Sequence, residues 1–329
     1  MLNSMVIKSY YRIKPFIPRG LQLLLRRSVA MVNRRRNGHC WPIDDGAASK
    51  PEAWGGWPDG KQFAVVLTHD VDTRRGHDNC RSLMALEQAA GFRSSFNFVG
   101  GEYEVSRELR TLLVENGFEV GVHGWFHNAS LYESREEFLR QAANINSRLA
   151  EWGAVGFRSP CMYRNLEWLR ELRVTYDAST FDTDPFEPQP EGAGTIFPFL
   201  VQGEDGTGGY VELPYTLPQD FTLFVLFREK NIDIWKRKLD WVASHGGMVL
   251  LNTHPDYMSF DSGHSGIETY PCRYYQDLLR YLENRYAGLY WHALPREVAE
   301  FWKDRCRDQM QPEPAVQEAV VATIDRIVA

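Results

Sequence analysis

Asp70 and Asp72 stand two residues apart, directly after the apolar run Phe63-Ala64-Val65-Val66-Leu67 and the polar pair Thr68-His69. In an extended segment, residues two apart point to the same side. Two carboxylates on one side repel, so a cation or a shared proton is expected between or beside them. One of the two can then bind a metal while the other acts as a general base. Without a ligand, the same pair reads as a solvated strand-end turn whose acids cap a neighbouring helix.

A second cluster follows the short apolar segment Val120-Gly121-Val122, where His123 and His127 are four residues apart in His123-Gly124-Trp125-Phe126-His127. If the chain turns helical after Val122, both imidazoles share a face, which suits a first-row metal. Two histidines at this spacing are more often ordinary packed or surface side chains. Their place at a strand end, matching that of the carboxylates, favours ligands. One Asp with two His leaves positions open for water or substrate, the pattern of a catalytic metal site.

Two more clusters complete the set. Gly156-Phe157-Arg158-Ser159-Pro160-Cys161-Met162-Tyr163 offers Arg158, a fixed cation that would keep Asp70 ionised and oriented, and the backbone N–H of Cys161 as an oxyanion donor. A thiol nucleophile at Cys161 has no His with a partner acid near it in sequence. Met248-Val249-Leu250-Leu251 leads through Asn252-Thr253 to His254, which is placed to protonate a leaving amine. The plain alternatives are a surface ion pair for Arg158 and a satisfied core histidine for His254.

The elements that must position these groups are short. Strands are predicted at Phe63 to Thr68, Ser94 to Val99, Glu119 to Val122, Gly156 to Arg158, Val174 to Asp177, Val211 to Leu213, Met248 to Asn252 and Leu289 to Ala293. Between several of them lie amphipathic segments, among them Ser106 to Asn116 and Arg135 to Trp152, with apolar residues at three- and four-residue steps. Such alternation predicts an α/β fold with a parallel sheet, and the polar clusters lie where parallel folds place ligands, at the C-terminal strand ends. Periodicity alone does not separate a barrel from an open sheet.

The chain has 329 residues, 43% of them hydrophobic, enough for one large domain. Domain boundaries are expected at 1–60 for a basic arm and linker, 61–305 for the catalytic body and 306–329 for a tail. The segment from Asp44 to Trp57, with little periodicity, reads as a connection. Five cysteines, odd in number and far apart, fit a reducing compartment, and Arg26 and Arg27 interrupt the apolar stretch from Leu21 to Val32 that a secretion signal would keep whole. The expected location is the cytoplasm. Nine of the first 43 residues are Lys or Arg and none is acidic, while the whole chain is at −6. Such an arm can rest on anionic lipid at the inner membrane face, or pack on the chain's own acidic body. No nucleic-acid partner is expected.

With the four clusters in this order, the chain resembles the polysaccharide deacetylases of the NodB type, carbohydrate esterase family 4, over roughly Lys61 to His292. The resemblance implies a deformed (β/α) barrel of about seven parallel strands and one divalent metal ion, zinc first, with cobalt or nickel as alternatives. It makes Asp70 the catalytic base, Asp72, His123 and His127 the metal ligands, Arg158 the residue that steadies the base, and His254 the general acid. At the oxyanion and substrate position after Pro160, where relatives often have Tyr, this chain departs with Cys161, and Tyr163 is the alternative occupant of that space. The acid that tunes the histidine in relatives has three candidates here, Asp177, Asp182 and Asp184. The implied reaction is hydrolysis of the N-acetyl amide of an amino sugar, the partner being an N-acetylated saccharide. The rivals are an amidohydrolase acting on a non-sugar C–N bond and a carbohydrate-binding protein without catalysis. Trp125, Trp168, Phe181 and Tyr257 are candidates for a sugar-facing wall, or for core.

Overall fold

The computed structural model describes residues 18–203, 209–260 and 266–310. After helix α1 (Arg19–Arg36), the strands in chain order are β1 (Phe63–Val71), β2 (Ser95–Phe98), β3 (Glu119–Val122), β4 (Gly156–Phe157), β5 (Tyr176–Asp177), β6 (Phe199–Val201), β7 (Tyr210–Glu212), β8 (Met248–Thr253), β9 (Met258–Ser259), β10 (Tyr270–Pro271) and β11 (Tyr290–His292). The helices between and after them are α2 (Arg74–Ala89), α3 (Arg107–Glu115), α4 (Arg135–Trp152), α5 (Asp233–His245), α6 (Arg273–Tyr286) and α7 (Pro295–Met310).

β1 is the centre of the sheet. It pairs in parallel with β8 along one edge, while β2 and β11 share the other, and the sheet runs on from β2 through β3, β4 and β5 to β7. The backbone N–H groups of Thr216 and Leu217, just past β7, donate to Leu250 O of β8 at 2.9 and 3.1 Å, and this contact closes the ring. Among the described residues the ring has seven parallel strands, as the resemblance implies; β6 lies antiparallel against β7 outside it. All nine residues of β1 are buried, so its near-continuous apolar sequence is that of a parallel strand covered on both faces.

Helix starts and stops follow side-chain chemistry. Ser106 and Ser134 cap α3 and α4 by accepting from Leu109 N and Glu137 N, and α4 ends at Gly153 in the left-handed region, φ 64°. Their inward faces, including Leu109 and Leu113 of α3 and Phe138, Ile145 and Leu149 of α4, bury against the sheet.

Two expectations change. The segment read as a connection is part of the core: Ala47 is fully buried, Ile196 N donates to its carbonyl, and Trp54 and Trp57 pack with Trp302 of α7. A boundary at residue 60 therefore marks no break in packing, and α7 continues past residue 305. Bulky rings at irregular spacing fill a groove without the period that marks a helix or strand. β6, β9 and β10, of two or three residues each, were too short to stand out. Most of the tail expected at 306–329 lies outside the described residues.

Candidate metal and acid–base site

β1 delivers Asp70 at its end, and the chain leaves the strand at Asp72 before α2 begins. Asp256 fixes this exit. Its carboxylate accepts from Asp72 N and Thr73 N, both at 3.0 Å, and from the Thr73 hydroxyl. The approach is close enough that a Cβ on Gly76, in the first turn of α2, would lie 2.1 Å from Asp256 Oδ2.

His123 immediately follows β3, and the turn that brings His127 back needs Gly124, at φ 72°. Any side chain there would also strike Pro160, with Cγ 2.3 Å from the added carbon. The segment is therefore a turn seated on the Pro160–Met162 turn, not the helix considered from sequence, yet it still turns both imidazoles to one place. His127 N donates to Glu102 at 2.8 Å, and His123 Nδ1 faces Arg158 O at 3.0 Å. Since a carbonyl only accepts, Nδ1 carries a proton and Nε2 is the ring nitrogen turned to the cleft. Burial alone would lower this imidazole, but Asp70 and Asp72 raise it above its ordinary value, so a cation bound at Nε2 would take the place of a proton.

Asp72 Oδ1 lies 3.5 Å from His123 Nε2 and 3.3 Å from His127 Nε2, and it is buried with no hydrogen-bond donor. A buried carboxylate oxygen left orphaned beside two imidazole nitrogens fits a divalent cation, and these three residues form the one group among the described residues whose donor atoms converge in this way. Burial pushes the Asp72 carboxyl up, but His127 and His123 outweigh it and hold it well below the usual carboxylate range. His127 is lowered, by burial first and by the neighbouring His123 and His254. An ionised carboxylate and a neutral imidazole are the ligand forms a metal requires.

Asp70 is 2% exposed and is surrounded by donors: Asn97 Nδ2 at 3.0 Å, Asn252 Nδ2 at 2.8 Å and Arg158 NH1 at 3.3 Å. Burial raises its carboxyl, yet His123, Arg158 and His254 with the Asn97 hydrogen bond bring it below the ordinary value. Arg158 is itself fully buried, held by Ala178 O at 2.7 Å and Thr68 Oγ1 at 2.8 Å, so it is no surface ion pair. His123 Nε2 is 3.9 Å from Asp70 Oδ2, which puts the base beside the metal ligands.

His254 follows β8. Its Nδ1 lies 2.7 Å from Asp220 Oδ1 and its backbone N donates to Asp220 Oδ2 at 2.8 Å, while Tyr270 OH donates to the same Oδ2 at 2.8 Å. Burial alone would lower the imidazole; Asp220 overcomes this, with help from Asp72 and Asp70, and raises it to about 10. His254 is thus a charged acid through the neutral range.

Asp220 corrects the sequence reading, since none of the three acids considered touches His254 in the structure. Asp177 is fully buried and accepts from Ser179 N and Oγ, and that hydroxyl in turn accepts from Ser159 N; Asp177 thus supports the Arg158–Ser159 turn from below and has no access to substrate. Asp182 is in a buried ion pair with Lys238, and Asp184 accepts from Tyr215 OH at 2.7 Å. Asp220 caps a π-helical turn, Phe221–Leu226, after a segment that meets the sheet only through isolated parallel bridges at Tyr215 and Leu217. The available signal was an acid set within the otherwise largely apolar stretch Leu213 to Leu226. Asn97, Asn252 and Asp256 were also missed. Asn97 lies between two phenylalanines in β2 and registers directly with Asp70, and Asn252 follows the apolar run Met248-Val249-Leu250-Leu251 of β8.

Cys161, at φ 54°, lies on the Pro160–Met162 turn whose proline faces Gly124, and Tyr163 ends that turn. Of the aromatic candidates, Phe181 is core and Trp168 stacks on Tyr132, whereas Tyr257 lies 5.3 Å from the His254 ring. Trp125 lies against Gly101.

Residues 58–176 match the family model described as polysaccharide deacetylase. No curated protein matches the sequence. Among solved structures, the chain is similar to a candidate polysaccharide deacetylase of Mycobacterium smegmatis, at TM-score 0.59 and 20% identity, covering 78% of this chain and 95% of that one. It is also similar to PuuE allantoinase, at 0.57 and 12%, covering 75% and 92%. A third likeness is to a candidate polysaccharide deacetylase of Pseudomonas aeruginosa PAO1, at 0.56 and 13%, covering 75% and 92%. At these identities the structural likenesses carry the fold.

Proposed function

We propose that the chain, whose residues 58–176 match the polysaccharide deacetylase family model, hydrolyses the N-acetyl amide of an amino sugar in a saccharide or polysaccharide precursor, releasing acetate. The observation that carries the metal-dependent form of this reading is the orphaned Asp72 Oδ1 between His123 and His127. Asp72, His123 and His127 would hold a divalent ion, which would supply Lewis acidity and a more acidic water; the one-carboxylate, two-imidazole donor set suits zinc, with cobalt or nickel as alternatives.

The chain's own groups perform the proton transfers. Asp70 is ionised and oriented by Arg158, Asn97 and Asn252, and it takes the proton of the attacking water. The Cys161 N–H, on the turn whose Pro160 faces Gly124, serves as an oxyanion donor. His254, kept protonated by Asp220, delivers its proton to the sugar nitrogen as the C–N bond breaks. Water and amide become acetate and free amine, and no further reactant is required.

A base, three metal-ligand side chains and a charged acid in one cleft favour catalysis over a pure binding role. Acetate release, measured on chitin oligomers, nucleotide sugars and lipid-linked saccharides beside a cyclic ureide, tests the reading. Acetate from any N-acetylated saccharide supports it; ureide opening without acetate release transfers the same machinery to a non-sugar C–N bond.

A further inference from the structure

Helix α1 is turned inside out relative to an ordinary surface helix. Its inward face buries little more than Leu23 and Ala30 and is otherwise fastened by arginines. Arg19 pairs with Glu268 and Arg34 with Glu229, Arg27 donates to Val225 O at 2.9 Å and Ile267 O at 2.8 Å, and Arg34 also lies over the Phe227 ring at 4.6 Å. Its outward face carries Leu21, Leu24, Leu25, Val29, Met31 and Val32, each between 39% and 58% exposed. Ten large apolar side chains are exposed among the described residues, and these six are on one helix, so the patch is not the scatter normal to a surface. By helical rise, Leu21 to Val32 spans about 16 Å. The usual helix buries its apolar stripe and exposes its charges.

We propose that α1 is an interfacial helix that lies on an anionic lipid bilayer, leucines in the headgroup boundary, and holds the catalytic cleft at the membrane surface. Charge complementarity selects this occupant. The helix contains six arginines and no acid, and Arg26, Arg35 and Arg36 are exposed beside the apolar face. A second copy seated on the same face would set arginine against arginine, whereas anionic headgroups neutralise them. No helix among the described residues is long and apolar enough to cross a membrane, so the contact is peripheral.

The helix is also tied to the cleft. Arg26 lies 4.7 Å over the Phe221 ring, Phe221 packs on Tyr257 at 4.9 Å, and Tyr257 on His254 at 5.3 Å. Resting on the deacetylase reading, a cleft held at the bilayer in this way suits a saccharide carried by a membrane lipid.

The test is vesicle flotation of the full chain with phosphatidylcholine alone and with phosphatidylcholine mixed with phosphatidylglycerol. The wild type should float with the anionic vesicles and be released progressively by salt. A Leu24→Glu/Leu25→Glu variant should bind about 10- to 100-fold more weakly. Leu139→Glu, which alters an exposed leucine on α4, should float as wild type does, and circular dichroism should confirm that both variants are folded. Flotation is read without turnover, so it stands or fails separately from the acetate assay. No flotation of the wild type, flotation unchanged in the double variant, or a wild-type dimer that the double variant converts to monomer without any vesicle binding would each overturn the proposal.

Discussion

Asp220 holds His254 at two points, Oδ1 on the ring nitrogen at 2.7 Å and Oδ2 on the backbone N–H at 2.8 Å. The carboxylate therefore sets both where the imidazole sits and whether it is charged. The folded value of about 10 lies above the ordinary histidine value of 6.5, so the charged form is favoured below about 10 and lost as pH rises through it. Removing Asp220 must lower that value. Asp220→Asn is expected to move the alkaline limb of the kcat/KM profile to lower pH, and an alkaline limb identical to wild type would remove Asp220 from this role.

His123 Nε2 of the metal cluster lies 3.9 Å from Asp70 Oδ2, while Asp70 takes its hydrogen bonds from Asn97, Asn252 and Arg158. Its loss should therefore separate turnover from metal binding. Asp70→Asn is expected to retain the metal and lose about 10²- to 10⁴-fold in kcat, the usual worth of a general base. Turnover within a few-fold of wild type would contradict the assignment.

Arg158 is fully buried, and Asp70 is the carboxylate it meets. Breaking a buried pair from one side strands the other charge, at about 3–5 kcal/mol. Arg158→Met should lower the urea midpoint accordingly, and the double variant Arg158→Met/Asp70→Asn should recover part of the loss. No recovery would mean that the cost lies in the Thr68 and Ala178 hydrogen bonds instead.

Gly124 carries a positive φ and faces the Pro160 ring, so Gly124→Ala combines backbone strain with a clash. The loop between His123 and His127 must shift, and metal affinity should fall by about 10- to 100-fold, as when supporting contacts around a metal ligand are lost. Titration with zinc against a competing chelator measures this; unchanged affinity would show that the loop tolerates the side chain.

What the sequence discloses about this protein follows the range of the interactions. Asp70, Asp72, His123 and His254 were legible because each sits at the end of an apolar run, and chain-local patterning alone puts them at strand ends. The parallel strands were legible for the same reason, but their closure into a ring was not; only the family resemblance implied it. Asp220 was not, because its pairing with His254 exists only once the Thr216–Leu217 segment meets β8 and closes the ring, a contact between residues more than thirty positions apart. Asp256 escaped because it acts on backbone N–H groups of Asp72 and Thr73, which carry no side-chain signal. The burial of Ala47 and Trp57 was hidden by their irregular spacing. α1 was legible as basic, but that Arg19, Arg27 and Arg34 fasten its inner side while Leu21, Leu24 and Leu25 face outward follows from how it docks beside Phe221 and Phe227.

The most direct test of the account is the metal content of the purified chain, by elemental analysis of the wild type and of a His123→Ala variant shown to be folded. The account predicts about one divalent ion per chain in the wild type and little in the variant, in keeping with a three-ligand site. No bound metal in the wild type, even after incubation with zinc, cobalt or nickel, would contradict it.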